Sequence, residues 1–230
     1  LSSFIALAQT SLTDGIKRVE AKKFDEARKL FEDILKKDEK NAEAHYQIGR
    51  LLVIHYRDYS DAADHLEEAV DLDDANAEYH WMLGNAYGSK AREANIFSQL
   101  SLAGKVKGEF ARAVQLNPEE VRYRTSLMGY YVQAPGIAGG SMSKAKEQAS
   151  EILKVDAYSG HLAFAQIAAQ EKELGVAEQE FKKAISADPK KPRAYHQLGY
   201  LYLRLNRPDE AIQQFQKYVE VAPEDANSHD

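Results

Sequence analysis

Apolar and small residues recur along the chain in one order, at intervals of about 34 residues. The last copy shows the order most clearly. Its first segment carries them at three- and four-residue steps, at Tyr195, Leu198, Gly199 and Tyr202. Its second segment continues with Ala211 and Phe215 and ends near Pro223. Such steps place residues on one face of a helix, so each copy predicts two short amphipathic helices joined by a turn.

Six copies of this order fill the chain from about residue 8 to about residue 225. The small position of the first helix is held by Gly15, Gly49, Gly84 and Gly199, with departures to Met128-Gly129 in the fourth copy and to Ala165 in the fifth. A small residue of the second helix recurs at Ala27, Ala62, Val106, Ala145, Ala177 and Ala211. Four residues further on stand Phe31, Leu66, Phe110, Ala149, Phe181 and Phe215. The small residues let the two helices approach closely, and the larger ones fill the remaining space.

These positions resemble the tetratricopeptide repeat (TPR), and the last copy matches it almost position for position. The resemblance implies an all-α, right-handed α-solenoid of about six TPR helical hairpins, because a single hairpin cannot bury its apolar face alone. We predict one array over residues 8–225 and a tail at 226–230. Its approximate repeats are 8–41, 42–76, 77–120, 121–157, 158–191 and 192–225. The stretches around Trp81, Pro135 and His161 also resemble a group of exported bacterial TPR proteins, which implies no particular activity.

Composition agrees with a helical binding protein. The chain is 44% hydrophobic and contains only 13 Gly and 6 Pro, which suits helices joined by short turns. Its net charge of -6 disfavours general binding to nucleic acid or anionic membranes. No apolar run approaches the roughly 18 residues of a membrane-spanning helix. The absence of cysteine excludes disulfides and thiolate sites.

The third copy is about ten residues longer than the repeat requires, and the extra residues lie within Gly88–Gly104. Apolar residues recur there at three-residue steps without proline, which predicts lengthened helices and a shifted turn. Two roles are open. The hairpin either projects and offers a docking surface, or it is simply elongated, with Phe97 and Leu100 packed on the adjacent repeat.

The fourth copy contains the glycine-rich stretch Gln133–Ser143. Pro135 and three glycines interrupt the helix, and Ser141 or Ser143 is predicted to cap the next one. Backbone N–H groups of Gly139, Gly140 and Ser141 are candidates for holding an anion. The alternative is a rigid loop between helices, because the stretch does not match the phosphate-binding loop of nucleotide hydrolases.

Both ends of the sequence leave alternatives. Ala6 and Ala8 suit the small residues before a signal-peptide cleavage site, so residues 1–7 are interpreted as a possible signal-peptide remnant of a periplasmic or secreted bacterial protein. Otherwise Phe4 belongs to the first repeat helix and the protein is cytoplasmic. After Pro223 no further helix covers the last repeat, so we expect a partner, a second copy or a longer chain to cover it.

The resemblance also implies a binding groove, because the first helices of TPR arrays line the concave face. It points to two positions per first helix, four residues apart and therefore on one side of that helix. The corresponding residues are Tyr46, Arg50, Trp81, Asn85, Gln166, His196 and Tyr200. Aromatic surfaces with a few directional polar groups suit an extended peptide. The alternative for each aromatic residue is packing between helices.

Candidate catalytic or metal-binding residues are few. His45, His80 and His161 occupy the aromatic packing position of their repeats and are predicted to be structural. No histidine set has the helical spacing of a known zinc site, and no nucleophile motif is present. We predict neither an enzyme nor a cofactor nor a metal site.

The sequence therefore predicts a non-catalytic scaffold or adaptor that binds a peptide segment of a partner protein in the TPR groove. Two alternatives stay open. One is a self-assembling structural module, in which the third hairpin and the last repeat make homotypic contacts and the protein is a homo-oligomer. The other is binding of an anion or small molecule at the glycine-rich loop.

Overall fold

The computed structural model describes residues 2–222, with side chains described from residue 11 onward. In this part of the chain every regular element is helical. The twelve α-helices are α1 (Ser2–Glu20), α2 (Phe24–Leu35), α3 (Ala42–Leu51), α4 (Tyr59–Leu72), α5 (Ala77–Glu93), α6 (Ile96–Leu116), α7 (Val121–Gln133), α8 (Met142–Val155), α9 (Ala157–Gln170), α10 (Leu174–Ala187), α11 (Arg193–Arg204) and α12 (Pro208–Val221).

Consecutive helices pair into six hairpins, from α1–α2 to α11–α12. The chain divides into two compact units, Leu1–Pro118 and Glu119–Asp230, each with three hairpins. Within a unit, the second helix of one hairpin also packs against the first helix of the next. The predicted all-α fold with six helical hairpins is confirmed.

Short polar side chains determine where many of the helices begin. Asn41, Asn76 and Asn95 cap α3, α5 and α6, and their side-chain oxygens accept hydrogen bonds from backbone N–H groups of the first turn. Ser141 and Asp156 do the same for α8 and α9. A cap supplies a partner for a donor that the helix itself leaves unpaired. The turns between helices are therefore encoded locally.

The two helices of a hairpin make their closest contact where a glycine of the first faces a large side chain of the second. A Cβ atom on Gly84 would lie 2.6 Å from the ring of Phe110, and a Cβ atom on Gly199 would lie 2.6 Å from the ring of Phe215. Non-bonded carbon atoms keep a separation of about 3.5 Å or more. Any larger side chain at these two positions would have to push the helices apart.

In the fourth hairpin the large residue of this contact lies on the first helix and the small residue lies on the second. Met128 of α7 is buried in one cluster with Ala145 and Ala149 of α8. A Cβ atom on Gly129 would meet no atom closer than 3.9 Å, so Met128 rather than Gly129 stands at the contact. A large residue on the first helix is thus matched by a small one on the second, and the volume between the helices is filled in either arrangement.

The second hairpin contains one extra residue, which the repeat pattern did not reveal. Gly49 and Ala62 are separated by one residue more than the same positions of the first and last hairpins. The chain takes it up in a π-helical turn, Leu52–Tyr56, directly after α3. A π-turn absorbs an inserted residue without ending the helix. Gly49 therefore still faces Leu66, as the other contact glycines face their large partners.

The third hairpin has the lengthened helices that its periodicity predicted. α5 and α6 contain 17 and 21 residues, whereas α11 and α12 contain 12 and 14. The turn lies at Ala94-Asn95, and the apolar residues after it are open to solvent. Ile96 is 60% exposed, Phe97 82% and Leu100 40%. Phe97 therefore does not pack on an adjacent repeat, whereas Leu100 is partly covered.

The glycine-rich loop of the fourth hairpin is a rigid connection. The N–H groups of Gly139, Gly140 and Ser141 donate to carbonyl oxygens of the same loop and of α7, at 2.9, 3.0 and 2.9 Å. The expected anion site is thus not formed, because its three donors already have partners. Gly139 has a positive φ of 90°, and a Cβ atom on Gly140 would lie 1.7 Å from the carbonyl oxygen of Ala134. Glycine at these two positions allows the positive φ and the close approach of the backbone.

Two predictions on the ends of the chain stay predictions. α1 begins at Ser2, so residues 2–7 have helical backbone, which a signal-peptide remnant and a repeat helix would both show. The prediction that something covers the last repeat involves Pro223 and the tail, which lie outside the described residues. None of the described helices is long and apolar enough to cross a membrane.

Replacing Gly84 with Met is expected to lower the free energy of unfolding by about 2 kcal/mol, because Met cannot fit against Phe110. Phe110→Ala alone is expected to cost about 3 kcal/mol through the cavity it leaves. The double variant reproduces the Met128–Ala149 combination and is expected to lose clearly less than the sum of the two. Urea denaturation of the four proteins measures this coupling. Strictly additive losses would contradict a direct size match between the helices.

Removing residues 91–100 in register is expected to leave a helical protein that melts cooperatively. The deleted residues include Ile96, Phe97 and Leu100, whose exposed side chains contribute little to a core. Thermal unfolding followed by circular dichroism measures this, with buried Phe110→Ala as a destabilised comparison. Loss of the cooperative transition would show that the tip belongs to the folding core.

Candidate functional site

An open groove runs across the first helices of the three hairpins in the second unit. α7, α9 and α11 each present one face to it, and its volume is about 570 Å³. This volume is in the range of known ligand sites. The site is therefore built on rigid helices rather than on loops.

α11 contributes one side of the groove along its whole length. Arg193, Gln197, Tyr200 and Arg204 line it at steps of three or four residues, with His196 beside them. Residues with this spacing share one side of a helix. Because α11 begins at Arg193 and ends at Arg204, an arginine stands at each end of this stripe.

Apolar side chains and amides make up much of the remaining lining. Met128 and Val132 of α7 contribute apolar surface, together with Phe181 of α10. Amide groups come from Gln133, Gln166, Gln170 and Gln197. An amide both donates and accepts hydrogen bonds, as a peptide backbone does. The Nε2 of Gln166 donates to the Oε1 of Gln197 at 3.2 Å, which links α9 to α11 across the groove.

Tyr200 is the most prominent aromatic side chain of the groove. It is 53% exposed, yet its ring is held by edge contacts with His196 and Phe215, at centroid distances of 4.9 and 5.3 Å. Such contacts orient an aromatic ring. Tyr200 therefore offers a positioned and accessible surface to a ligand.

The charge in the groove is positive. Arg193 and Arg204 are exposed, and within residues 2–222 the structure shows neither an ion pair nor a hydrogen bond for either guanidinium. The described lining includes no aspartate or glutamate. By contrast, Arg207 just beyond α11 is paired with Glu178 at 2.7 Å. The two groove arginines are thus the ones left available for a ligand.

Several interactions hold α11 in place behind this surface. Tyr202 and Arg207 donate hydrogen bonds to the carboxylate of Glu178 on α10, at 3.2 and 2.7 Å. The hydrogen bonds from Arg207 and Lys182 lower the pKa of Glu178 to about 2, so it is ionised at neutral pH. At the other end of α11, the N–H of Ala194 donates to the hydroxyl of Tyr158 at 3.0 Å.

Three of the predicted groove residues, Gln166, His196 and Tyr200, come together at this site. Sequence reasoning missed the two arginines and the whole contribution of α7. Arg193 and Arg204 could have been predicted from the sequence, because the same three- and four-residue steps from His196 and Tyr200 lead to both. The α7 residues gave no such signal, since the fourth repeat departs from the pattern at Met128.

The other four predicted groove residues lie in the first unit and do not line this groove. Tyr46 is buried, so its assignment as an accessible groove residue is wrong. Arg50 donates to the side chain of Gln47 at 3.2 Å, and Asn85 donates to the backbone carbonyl of Trp81 at 2.8 Å. Arg50, Trp81 and Asn85 are each half-buried.

Tyr46 instead belongs to a contact between two hairpins. Its ring stacks on that of Tyr79 at 4.9 Å. Each hydroxyl reaches the helix of the other: Tyr46 donates to Glu78 at 3.3 Å and Tyr79 donates to Glu43 at 2.8 Å. Burial, followed by the nearby carboxylates, raises the pKa of both tyrosines above the ordinary value. The alternative role of packing between helices is the one Tyr46 has.

Histidines at the aromatic packing position pair with the second helix of their own hairpin. The Nδ1 of His80 lies 2.7 Å from a carboxylate oxygen of Glu109, and the Nδ1 of His161 lies 2.7 Å from one of Glu180. Burial acts to lower the pKa of His80, but its hydrogen bonds to Glu109 and to the backbone of Asp74 leave this pKa above the ordinary value.

The second hairpin has a histidine in place of that carboxylate. The Nδ1 atoms of His45 and His65 lie 3.0 Å apart, and the Nε2 of His45 lies 3.0 Å from the carbonyl oxygen of Glu39. Burial and the nearby His45 lower the pKa of His65. Throughout residues 2–222, no group of three or more His, Cys, Asp or Glu side chains could hold a metal ion.

Two family models match the chain. One is described as plant specific mitochondrial import receptor subunit TOM20 and matches residues 19–159. The other is described as tetratricopeptide repeat and matches residues 168–230. No curated protein matches the chain in sequence.

Several solved structures share the fold. A tetratricopeptide repeat protein of Parabacteroides merdae is 15% identical, with a TM-score of 0.69 over 91% of this chain and 78% of its own. PilF of Pseudomonas aeruginosa is 17% identical, with a TM-score of 0.68 over 96% and 95%. YrrB, described as a TPR protein with an unusual peptide-binding site, is 17% identical, with a TM-score of 0.52 over 84% and 93%. At these identities the likeness establishes the fold alone.

Glu109→Gln is expected to destabilise the protein more near pH 6 than near pH 9. A raised folded-state pKa means that protonated His80 stabilises the fold below its ordinary value of 6.5. This stabilisation is lost as the pH rises through the folded-state pKa, and the amide of Gln cannot supply it. Urea denaturation at both pH values measures the difference, with exposed Glu68→Gln as the control. Equal losses at both pH values would contradict the assignment.

Proposed function

Because the chain belongs to the tetratricopeptide repeat proteins, and over residues 19–159 to the family of the plant specific mitochondrial import receptor subunit TOM20, we propose that it is a non-catalytic protein-interaction scaffold. Its ligand is an extended segment of a partner protein, bound in the groove of α7, α9 and α11. The observation that carries this proposal is the combination of accessible apolar surface, amide groups and two arginines that have no ion pair among the described residues, all lining one groove.

The lining suggests how such a segment would be held. An apolar side chain of the segment would lie against the half-buried Val132, and would contact the exposed ring of Tyr200. The amides of Gln166 and Gln197 would bond to its main chain, which provides binding without demanding a particular sequence. Burial of a rigid aromatic ring costs little conformational entropy, so Tyr200 is expected to contribute strongly to affinity.

The relatives are consistent with this role. YrrB is described as having a peptide-binding site, and the TOM20 family as a receptor subunit.

A self-assembling module is the second candidate, and one observation favours it. Ile96 and Phe97 expose apolar surface at the tip of the third hairpin, away from any described packing. Exposed apolar clusters commonly mark contact sites. Molar mass measured over a concentration series tests this role separately. A mass that rises with concentration in the wild type, and not in Ile96→Ser, Phe97→Ser, would support it.

Binding to peptides selected on the wild-type protein is expected to weaken about tenfold in Tyr200→Ala, because the exposed ring is lost. Fluorescence anisotropy of a labelled selected peptide measures this affinity. Leu203→Ala is the matched control, since Leu203 is 48% exposed on the same helix but does not line the groove.

Two outcomes would contradict the proposal. One is a selection on the wild type that enriches no peptide. The other is a loss of affinity in Leu203→Ala as large as that in Tyr200→Ala, which would place the binding surface elsewhere on α11. Circular dichroism spectra of both variants check that each retains its helices.

A further inference from the structure

The groove carries positive charge on a protein whose overall charge is negative. The chain has a net charge of -6, yet Arg193 and Arg204 face the groove and the described lining holds no carboxylate. Some basic side chains elsewhere in the second unit lie next to carboxylates: Lys146 pairs with Glu171 at 2.8 Å and Arg207 pairs with Glu178 at 2.7 Å. Arg193 and Arg204 have no such ion pair among the described residues.

The position of Arg193 adds a second observation. It is the first residue of α11, and the first turn of α11 has no acidic residue. A positive side chain at a helix N-terminus is disfavoured by the helix dipole. Arg193 therefore does not improve the helix itself, and within residues 2–222 it has no ion pair that would offset this cost.

The spacing of the arginines sets the geometry of a ligand. Eleven positions separate Arg193 from Arg204. At about 1.5 Å per residue this is roughly 16 Å along α11, and it is close to three full turns, so both lie on the same side. An extended polypeptide covers that distance in about five residues. Successive side chains of an extended chain point to opposite faces, so two side chains four or six residues apart share one face and would thus reach the two guanidinium groups.

We propose that the segment bound by this groove is acidic, with two carboxylate side chains four or six residues apart and an apolar residue between them on the same face. This inference rests on the proposed function, and it names the chemistry of the partner. A guanidinium can hold a carboxylate through two parallel hydrogen bonds, so each arginine fixes one end of the segment. The apolar residue between them lies over Val132 and Tyr200.

The amides between the arginines favour the same ligand. Gln133, Gln166, Gln170 and Gln197 carry no charge, so they neither repel an acidic segment nor neutralise the arginines. The negative charge of the chain as a whole repels acidic partners at long range. Only a segment whose carboxylates bind both arginines gains enough free energy to offset this repulsion. The groove therefore selects ligands by the spacing of their carboxylates as well as by their charge.

The test uses labelled peptides of one length and one composition, measured by fluorescence anisotropy. In the first peptide two glutamates stand four residues apart with a leucine midway between them, so that all three side chains share one face of the extended chain. In the second they are adjacent, and in the third both are glutamine. The first is expected to bind about tenfold more tightly than either of the others, and its affinity is expected to fall as salt is added.

Protein variants assign the effect to the two arginines. Arg193→Gln with Arg204→Gln is expected to bind the three peptides equally, whereas Lys190→Gln, which removes an exposed charge outside the groove, retains the preference. Arg193→Glu with Arg204→Glu is expected to prefer a peptide with two lysines at the same spacing. Circular dichroism confirms that each variant is folded.

The outcomes separate this inference from the function on which it rests. If the wild type binds all three peptides equally and Tyr200→Ala still weakens binding, the groove binds peptides and the acidic preference is wrong. If the adjacent and spaced glutamates bind equally well, the geometric part is wrong. If no peptide binds and an unbiased selection also fails, the proposed function itself is overturned.

Discussion

The close contact between the two helices of each hairpin is the constraint on which the rest of the structure depends. Gly84 against Phe110 and Gly199 against Phe215 leave no space for another carbon atom, so the rotation of each helix about its axis is set at that point. Because one face of each helix packs on its partner helix, the directions of its other faces are fixed as well. One packs on the next hairpin, and another is left to solvent or to a ligand. Met128 against Ala149 meets the same requirement with the sizes exchanged.

The departures from the repeat all leave this contact intact. The π-turn Leu52–Tyr56 absorbs an extra residue beyond Gly49, the third hairpin places its additional turns beyond the packed region, and the glycine-rich loop closes on its own carbonyl groups. Each insertion follows the buried part of a first helix, where a change of length does not disturb packed side chains. Insertions there cost little stability, which is why this fold can vary its surface so freely.

The groove of the second unit follows from the same assignment of faces. α7, α9 and α11 are all first helices, so their uncommitted faces meet on one side of the unit. The pairing of Glu178 with Tyr202 and Arg207 holds α11 from behind, which leaves Tyr200 exposed but oriented. A surface positioned in this way needs little reorganisation to bind, and preorganisation is a main source of affinity for flexible segments. In the proposed function, Arg193 and Arg204, which have no ion pair among the described residues, then favour acidic segments.

The sequence by itself determined the number of hairpins and the residues that join their helices, because three- and four-residue steps and small residues are local signals. It also pointed to Gln166, His196 and Tyr200, which share a side of their helices. It could not decide exposure. Tyr46 and Tyr200 were both predicted to line the groove, yet Tyr46 is buried against Tyr79 and Tyr200 is open. Only the tertiary structure decided this, because burial depends on the neighbouring hairpin. For the same reason, the lack of partners for Arg193 and Arg204 became visible only once every described carboxylate had been placed.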